Sequence, residues 1–281
     1  MLNYKLLTPG PLTTTDTVKK EMLFDHCTWD DDYKKITLKI RSQLLKLAHV
    51  SEPEYTVVLM QGSGTFGVES VITSVIGKSD KLLIAANGAY GERMADIAAH
   101  AGIPYVLYRE EYDKVPSAKI IKKIMKEDPE ITHVSMVHSE TTSGILNDIE
   151  SVAKVVKEMG RTFIVDAMSS FGGVDIPAAK WGIDFLISSA NKCIQGVPGF
   201  SFIICRTDKL MDSSGKATLS QWYSAASSSA EWYAPASCFA SPKNPPCHAG
   251  QTAWKIYFAG SPNAGVHTAL PGSQYPMASQ A

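Results

Sequence analysis

Lys192 closes the polar stretch Ser188-Ser189-Ala190-Asn191-Lys192, directly after an apolar run. A lysine amine adds to an aldehyde carbon, and once displaced it can carry a proton as a base. A lysine in an arbitrary loop is more simply a surface charge. Asp166 ends another apolar run and is followed by the small residues Ala167, Ser169 and Ser170. A carboxylate in that position can pair with a cationic ligand group, a charged hydrogen bond worth roughly 1.5–3 kcal/mol. It can equally cap the turn that follows. Gly62-Ser63-Gly64-Thr65 sits between an apolar run and a helical pattern. Its backbone can approach an anion, and a helix N-terminus contributes about 0.3–2 kcal/mol toward holding one. The same four residues also read as a glycine-rich turn with a Ser/Thr cap. Two further segments, Asn87-Gly88-Ala89-Tyr90-Gly91-Glu92-Arg93 and His138-Ser139-Glu140-Thr141-Thr142-Ser143-Gly144, bring an aromatic face and several hydroxyls. Tyr90 could lie flat on a planar ligand, and both segments also suit ordinary helix starts.

These residues need elements to hold them. Between about residues 55 and 206 the chain alternates short β-rich runs with amphipathic stretches. The pattern predicts strands over 57–60, 81–86, 105–108, 133–138, 162–165, 185–188 and 200–205. It predicts helices over 33–48, 66–76, 90–100, 118–127 and 149–159, with a short piece at 177–181. Near-continuous apolar strands separated by helices imply an α/β fold, a mostly parallel sheet covered on both faces in three layers. In such sheets ligands bind beyond the carboxyl ends of the strands, where every segment singled out above falls.

The bulk properties exclude several classes. A chain of 281 residues with 44% hydrophobic and 20% charged residues has an ordinary globular composition. A net charge of -1 gives no electrostatic reason to expect nucleic acid or an anionic membrane as partner. No apolar run is long enough to span a bilayer, and the start lacks secretory or transit character. Five cysteines without paired spacing indicate neither a disulfide framework nor a metal site, so a cytoplasmic setting is expected. Three regions follow: an N-terminal arm over 1–30, a large domain over 31–212, and a tail over 213–281. The tail is rich in Ser, Ala, Pro and Gly without sustained period, and is expected to be disordered.

In order, Gly-Ser-Gly-Thr, Asn-Gly-Ala-Tyr-Gly-Glu-Arg, His-Ser-Glu-Thr-Thr-Ser-Gly, Val-Asp-Ala-Met-Ser-Ser-Phe-Gly-Gly and Ser-Ser-Ala-Asn-Lys-Cys resemble the fold-type I, class V pyridoxal-phosphate aminotransferases. Leu-Leu-Thr-Pro-Gly-Pro-Leu near the start adds to the likeness, which covers about residues 2–219. The resemblance implies pyridoxal 5'-phosphate as cofactor, held covalently by Lys192, which would also move the proton. It implies that Asp166 pairs with the pyridine nitrogen and Tyr90 stacks on the ring. Ser63, Gly64 and Thr65 would bind the phosphate, Thr141 would contact the ring side, and Gly10 would line the substrate entrance. Transfer of an amino group from a small-molecule donor to pyruvate is the implied reaction, with 2-aminoethylphosphonate as donor and a homodimer as the working unit. Serine– or alanine–glyoxylate transamination, or a non-catalytic remnant, are the alternatives. A C-terminal small domain is part of the family pattern, and the sequence leads to the expectation that here it is missing or replaced. No arginine follows Arg206 to clamp the substrate's acidic group. This chain is therefore expected to bind cofactor weakly and to transaminate poorly.

Overall fold

The computed structural model describes residues 5–216. The tail expected from 213 onward lies, beyond Lys216, outside the described residues. A seven-stranded sheet forms the centre, in the order β1-β9-β8-β7-β4-β2-β3. The strands are β1 (Tyr55–Gln61), β2 (Lys81–Ala86), β3 (Tyr105–Arg109), β4 (Ile131–Val137), β7 (Thr162–Asp166), β8 (Phe185–Ser189) and β9 (Phe200–Arg206). The two-residue strands β5 (Ser139–Glu140) and β6 (Ile145–Leu146) form a separate antiparallel hairpin. Only β9 runs against its neighbours in the main sheet, pairing antiparallel with both β1 and β8. The expectation of a mostly parallel sheet therefore holds.

Every residue of β7 and β8 is buried, as strands covered on both faces require. Their alternate side chains feed two cores. Phe163, Val165 and Leu186 join one cluster, while Ile164, Phe185 and Ile187 join the other. The first cluster is closed by α2 (Asp31–Leu47), α5 (Ala118–Glu127), α6 (Ile149–Glu158) and the short α7 (Ala178–Trp181). The second is closed by α3 (Gly64–Val75) and α4 (Ala89–His100). Helical spacing explains the coverage: α6 buries Ile149, Val152, Ala153 and Val156, and its lysines face out. Asp148 starts that helix by accepting the Ser151 N–H at 3.0 Å.

Three elements were not foreseen: α1 (Asp16–Glu21), α8 (Thr207–Asp212) and the β5–β6 hairpin. The two helices bury no side chain, so no apolar stripe marks them in the sequence.

The strand order decides where a crevice opens in the sheet. From β2 the chain moves outward to β3, then returns across β2 to β4 and continues to β7 and β8. The direction of winding reverses between β2 and β4, which opens a crevice at their carboxyl ends.

Candidate active site

Five loops open on this edge of the sheet. Gly64, Thr65, Tyr90, Thr141, Asp166 and Lys192 line one cleft there, joined by Val137, Ser139, Met168, Ser169, Ser189 and Asn191. Six of the eight residues singled out for a site thus meet in one place. The cleft holds about 90 Å³, whereas a hollow of about 190 Å³ lies at the amino ends of β4 and β7, beside Thr132, His133 and Thr162. Volume therefore does not identify the site. What sets the cleft apart is the convergence of an amine, a carboxylate and a helix N-terminus.

Asp166 ends β7 and is buried. Its Oδ1 accepts the Met168 N–H at 2.9 Å, and Oδ2 has no hydrogen bond among the described residues. Burial pushes its carboxyl up to about 6, and the Glu140 carboxylate adds to the rise. The Met168 N–H and the positive charges of Lys192 and Arg93 oppose it. Such a carboxyl is short of a cation.

The amine approaches from β8. Ser189 Oγ donates to Asn191 Oδ1 at 2.8 Å, which shapes the turn before Lys192. The N-terminal segment crosses over this turn, and the Leu12 N–H reaches Asn191 O at 3.2 Å. Gly10, at φ +150, lies so close that a Cβ built on it would stand 2.6 Å from Lys192 Nζ. Only glycine fits there without moving the amine.

Ser63 is placed differently from its neighbours. It lies outside the cleft lining and caps α3, its Oγ accepting the Phe66 N–H at 3.2 Å. Gly64 and Thr65, the first residues of α3, present that helix's N-terminus to the cleft. Gly64 also makes room for Met168, whose Cε would be 2.8 Å from an added Cβ. Thr141 Oγ1 and Ser169 Oγ share a 2.6 Å hydrogen bond that ties the loop after β4 to the turn after β7.

Two supports escaped the sequence reading. Glu140 is wholly buried and accepts from the backbone N–H groups of Tyr90 (3.3 Å) and Gly91 (3.4 Å), and from Thr142 Oγ1 (2.7 Å). It neutralises the start of α4 and so fixes the backbone that carries Tyr90. A buried glutamate among threonines could have signalled this, but its partners lie 49 and 50 residues away. Asn87 and Asn147 exchange side-chain amide hydrogen bonds of 2.8 and 3.0 Å, locking the loop after β2 against the segment after the hairpin.

His138, just after β4, is buried with its ring edge-on to Trp181 at 6.0 Å, and burial pulls its pKa down to about 4. The unfolded ring titrates near 6.5, so the unfolded chain binds more protons between those values. Stability contributed by neutral His138 is present above about pH 6.5 and is lost as pH falls toward 4. Denaturant unfolding at pH 7 and pH 4.5 should show His138→Gln losing about 2 kcal/mol less than the parent chain over that interval. Equal losses would mean that the ring is not held neutral by the fold.

The comparisons with known proteins give the family. The family described as "Aminotransferase class-V" matches residues 27–228. This chain belongs to the class V aminotransferases. The family depends on pyridoxal phosphate. Among curated class V relatives, the 2-aminoethylphosphonate–pyruvate transaminase of Lysinibacillus sphaericus is 59% identical over 217 residues, covering 77% of this chain and 59% of that protein. The Bacillus cereus protein of the same name is 54% identical over 215 residues, covering 76% of this chain and 59% of its own. The chain thus spans about 59% of the length of these relatives. Two solved structures share the fold at 23% identity. Alanine–glyoxylate aminotransferase from Nostoc sp. has a TM-score of 0.76, with 83% of this chain and 62% of that one covered. Ureidoglycine–glyoxylate aminotransferase from Bacillus subtilis has a TM-score of 0.75, with 82% and 60% covered. Among the described residues no helix is long and apolar enough to cross a membrane, and no group of three or more His, Cys, Asp or Glu could hold a metal ion.

Proposed function

We propose that this class V chain binds pyridoxal 5'-phosphate weakly in the cleft and slowly moves the amino group of 2-aminoethylphosphonate to pyruvate, giving phosphonoacetaldehyde and alanine. The observation that carries the cofactor reading is that Lys192 and Asp166 open into one cleft, beside Tyr90 and the N-terminus of α3. The donor set fits the group. A buried carboxyl short of a cation suits a protonated ring nitrogen, an aromatic face suits the ring, and unpaired helix N–H groups suit the phosphate. The choice of donor is supported by the names of relatives that are 54–59% identical.

Bound there, pyridoxal phosphate supplies a cationic ring that accommodates negative charge developing on the substrate carbon. The chain's own residues do the rest. Lys192 Nζ would hold the cofactor through its aldehyde carbon. Freed from it, the same amine would serve as the base that takes the proton from the amine-bearing carbon of the substrate. Asp166 would accept the hydrogen bond of the ring N–H and keep that proton in place. Tyr90 would lie against the ring, and Gly64 and Thr65 at the start of α3 would orient the phosphate, with Ser63 acting through its cap on that helix. Thr141 would contact the ring side, and Gly10 would narrow the entrance over the amine.

A homodimer belongs to the proposal. The exposed apolar side chains Leu7, Met22, Leu23, Phe24 and Trp29 on the N-terminal arm support a face that a second copy covers. The free cysteines Cys27, Cys193 and Cys205 support a reducing, cytoplasmic setting.

Incubation with pyridoxal phosphate, borohydride reduction and peptide mapping test the site; a pyridoxyl group on Lys192 is the expected product. Alanine production with 2-aminoethylphosphonate, against serine as donor and glyoxylate as acceptor, tests the substrates. Faster turnover with glyoxylate would move the assignment elsewhere in the family. Gly10→Ala is expected to lose about 1 kcal/mol in thermal unfolding because of its positive φ. The same variant should form the Lys192 adduct far more slowly, since its Cβ occupies the place of the amine. An unchanged adduct rate would remove Gly10 from the site.

A further inference from the structure

Arg93 has no role in the reading above. It is exposed on the second turn of α4, and its Nη1 donates to Thr65 Oγ1 at 3.3 Å. Its guanidinium carbon lies 5.0 Å from the centroid of the Tyr90 ring. The neighbouring carboxylate on α4, Glu92, is already engaged, accepting from Arg109 Nε at 2.7 Å and Arg109 Nη2 at 3.0 Å. Arg93 forms no ion pair with any carboxylate among the described residues. It is held in place by an aromatic face and one hydroxyl, and its charge is felt at Asp166.

A guanidinium offers five donors in a rigid fork suited to phosphate oxygens. Here the fork is oriented by Tyr90 and joined through Thr65 to the first turn of α3, whose N–H groups also seek an anion. Two features that favour negative charge thus meet on one side of the cleft, and nothing anionic among the described residues satisfies them. We propose that Arg93 is a further cofactor-binding residue, supplying the charged contact to the phosphate ester of pyridoxal phosphate. This rests on the cofactor reading above.

The test compares two aldehydes that differ only in the phosphate. Binding of pyridoxal 5'-phosphate and of pyridoxal is titrated by absorbance in the full chain and in Arg93→Gln and Arg93→Lys, with borohydride fixation confirming Lys192 as the site. Arg93→Gln should weaken pyridoxal 5'-phosphate about tenfold, the size of an exposed charged contact, and leave pyridoxal within about twofold. Arg93→Lys should fall between, because it keeps the charge and loses the fork. Equal weakening of both aldehydes would overturn the proposal and reduce Arg93 to a support for Tyr90. Unchanged binding of both would also overturn it. If the parent chain forms no Lys192 adduct with either aldehyde, the cofactor reading itself fails, and this proposal falls with it.

Discussion

Lys192→Ala is expected to abolish the borohydride-stable pyridoxyl adduct and to lower alanine production by about 10⁴-fold or more. The size follows from two losses at one atom. The variant has no amine to hold the aldehyde carbon, and no base beside the carbon that must give up its proton. The alternative, a lysine that merely decorates a loop, predicts an unchanged adduct at another lysine. The cleft argues against it: Gly10 is pressed on the Lys192 chain, and Asn191 is tied to both Ser189 and Leu12. A loop this constrained presents its side chain in one direction. Peptide mapping of the reduced protein decides, because it reads the residue rather than the rate. Survival of the adduct in Lys192→Ala would end the assignment.

Asp166→Asn carries the second large effect, and it should move activity and stability in opposite directions. Without the carboxylate, transamination should drop roughly 10²–10³-fold, the usual cost of removing one preorganised electrostatic partner. The Lys192 adduct should still form. Stability should improve in the cofactor-free chain. The carboxyl titrates near 6 in the fold because it is buried, against about 3.8 when unfolded. The folded chain therefore holds the extra proton between those values, and stability falls as pH rises from about 4 to 6. Above about pH 6 the buried charge costs up to about 3 kcal/mol, which asparagine avoids while keeping the bond to the Met168 N–H. Thermal unfolding at pH 8 should favour Asp166→Asn, with the advantage gone near pH 4. Bound cofactor should remove the advantage at pH 8, since the ring cation restores the partner that the carboxylate lacks. A variant less stable at pH 8 without cofactor would show that Asp166 is a structural cap and not a ligand group.

Much of the fold was legible along the chain. The strand at 81–86 and the helix at 118–127 follow from local pattern, because the strand is buried on both faces and the helix buries Ile121 and Met125 on one. Where pattern was silent, no burial enforced it, as in α1 and α8, which bury no side chain. The hairpin Ser139–Glu140 with Ile145–Leu146 was hidden for another reason. Its strands are two residues each, too short for alternation to register, and their role is to carry Glu140 and Asn147 to partners across the crevice.

The site divides along the same line. By itself, the sequence determined that Gly64, Tyr90, Thr141, Asp166 and Lys192 each follow or end an apolar run, and therefore lie on loops at one edge of a mostly parallel sheet. Periodicity and turn chemistry are local, and they place a residue within its own element. Only the tertiary structure decided that β4 pairs between β2 and β7, that β9 alone reverses, and that Gly10 closes over Lys192 while Ser63 turns aside to cap α3. Those outcomes depend on which strands pair so that both faces are covered, and on where a distant segment crosses. The same long-range packing buried Asp166 and left Arg93 without a carboxylate among the described residues.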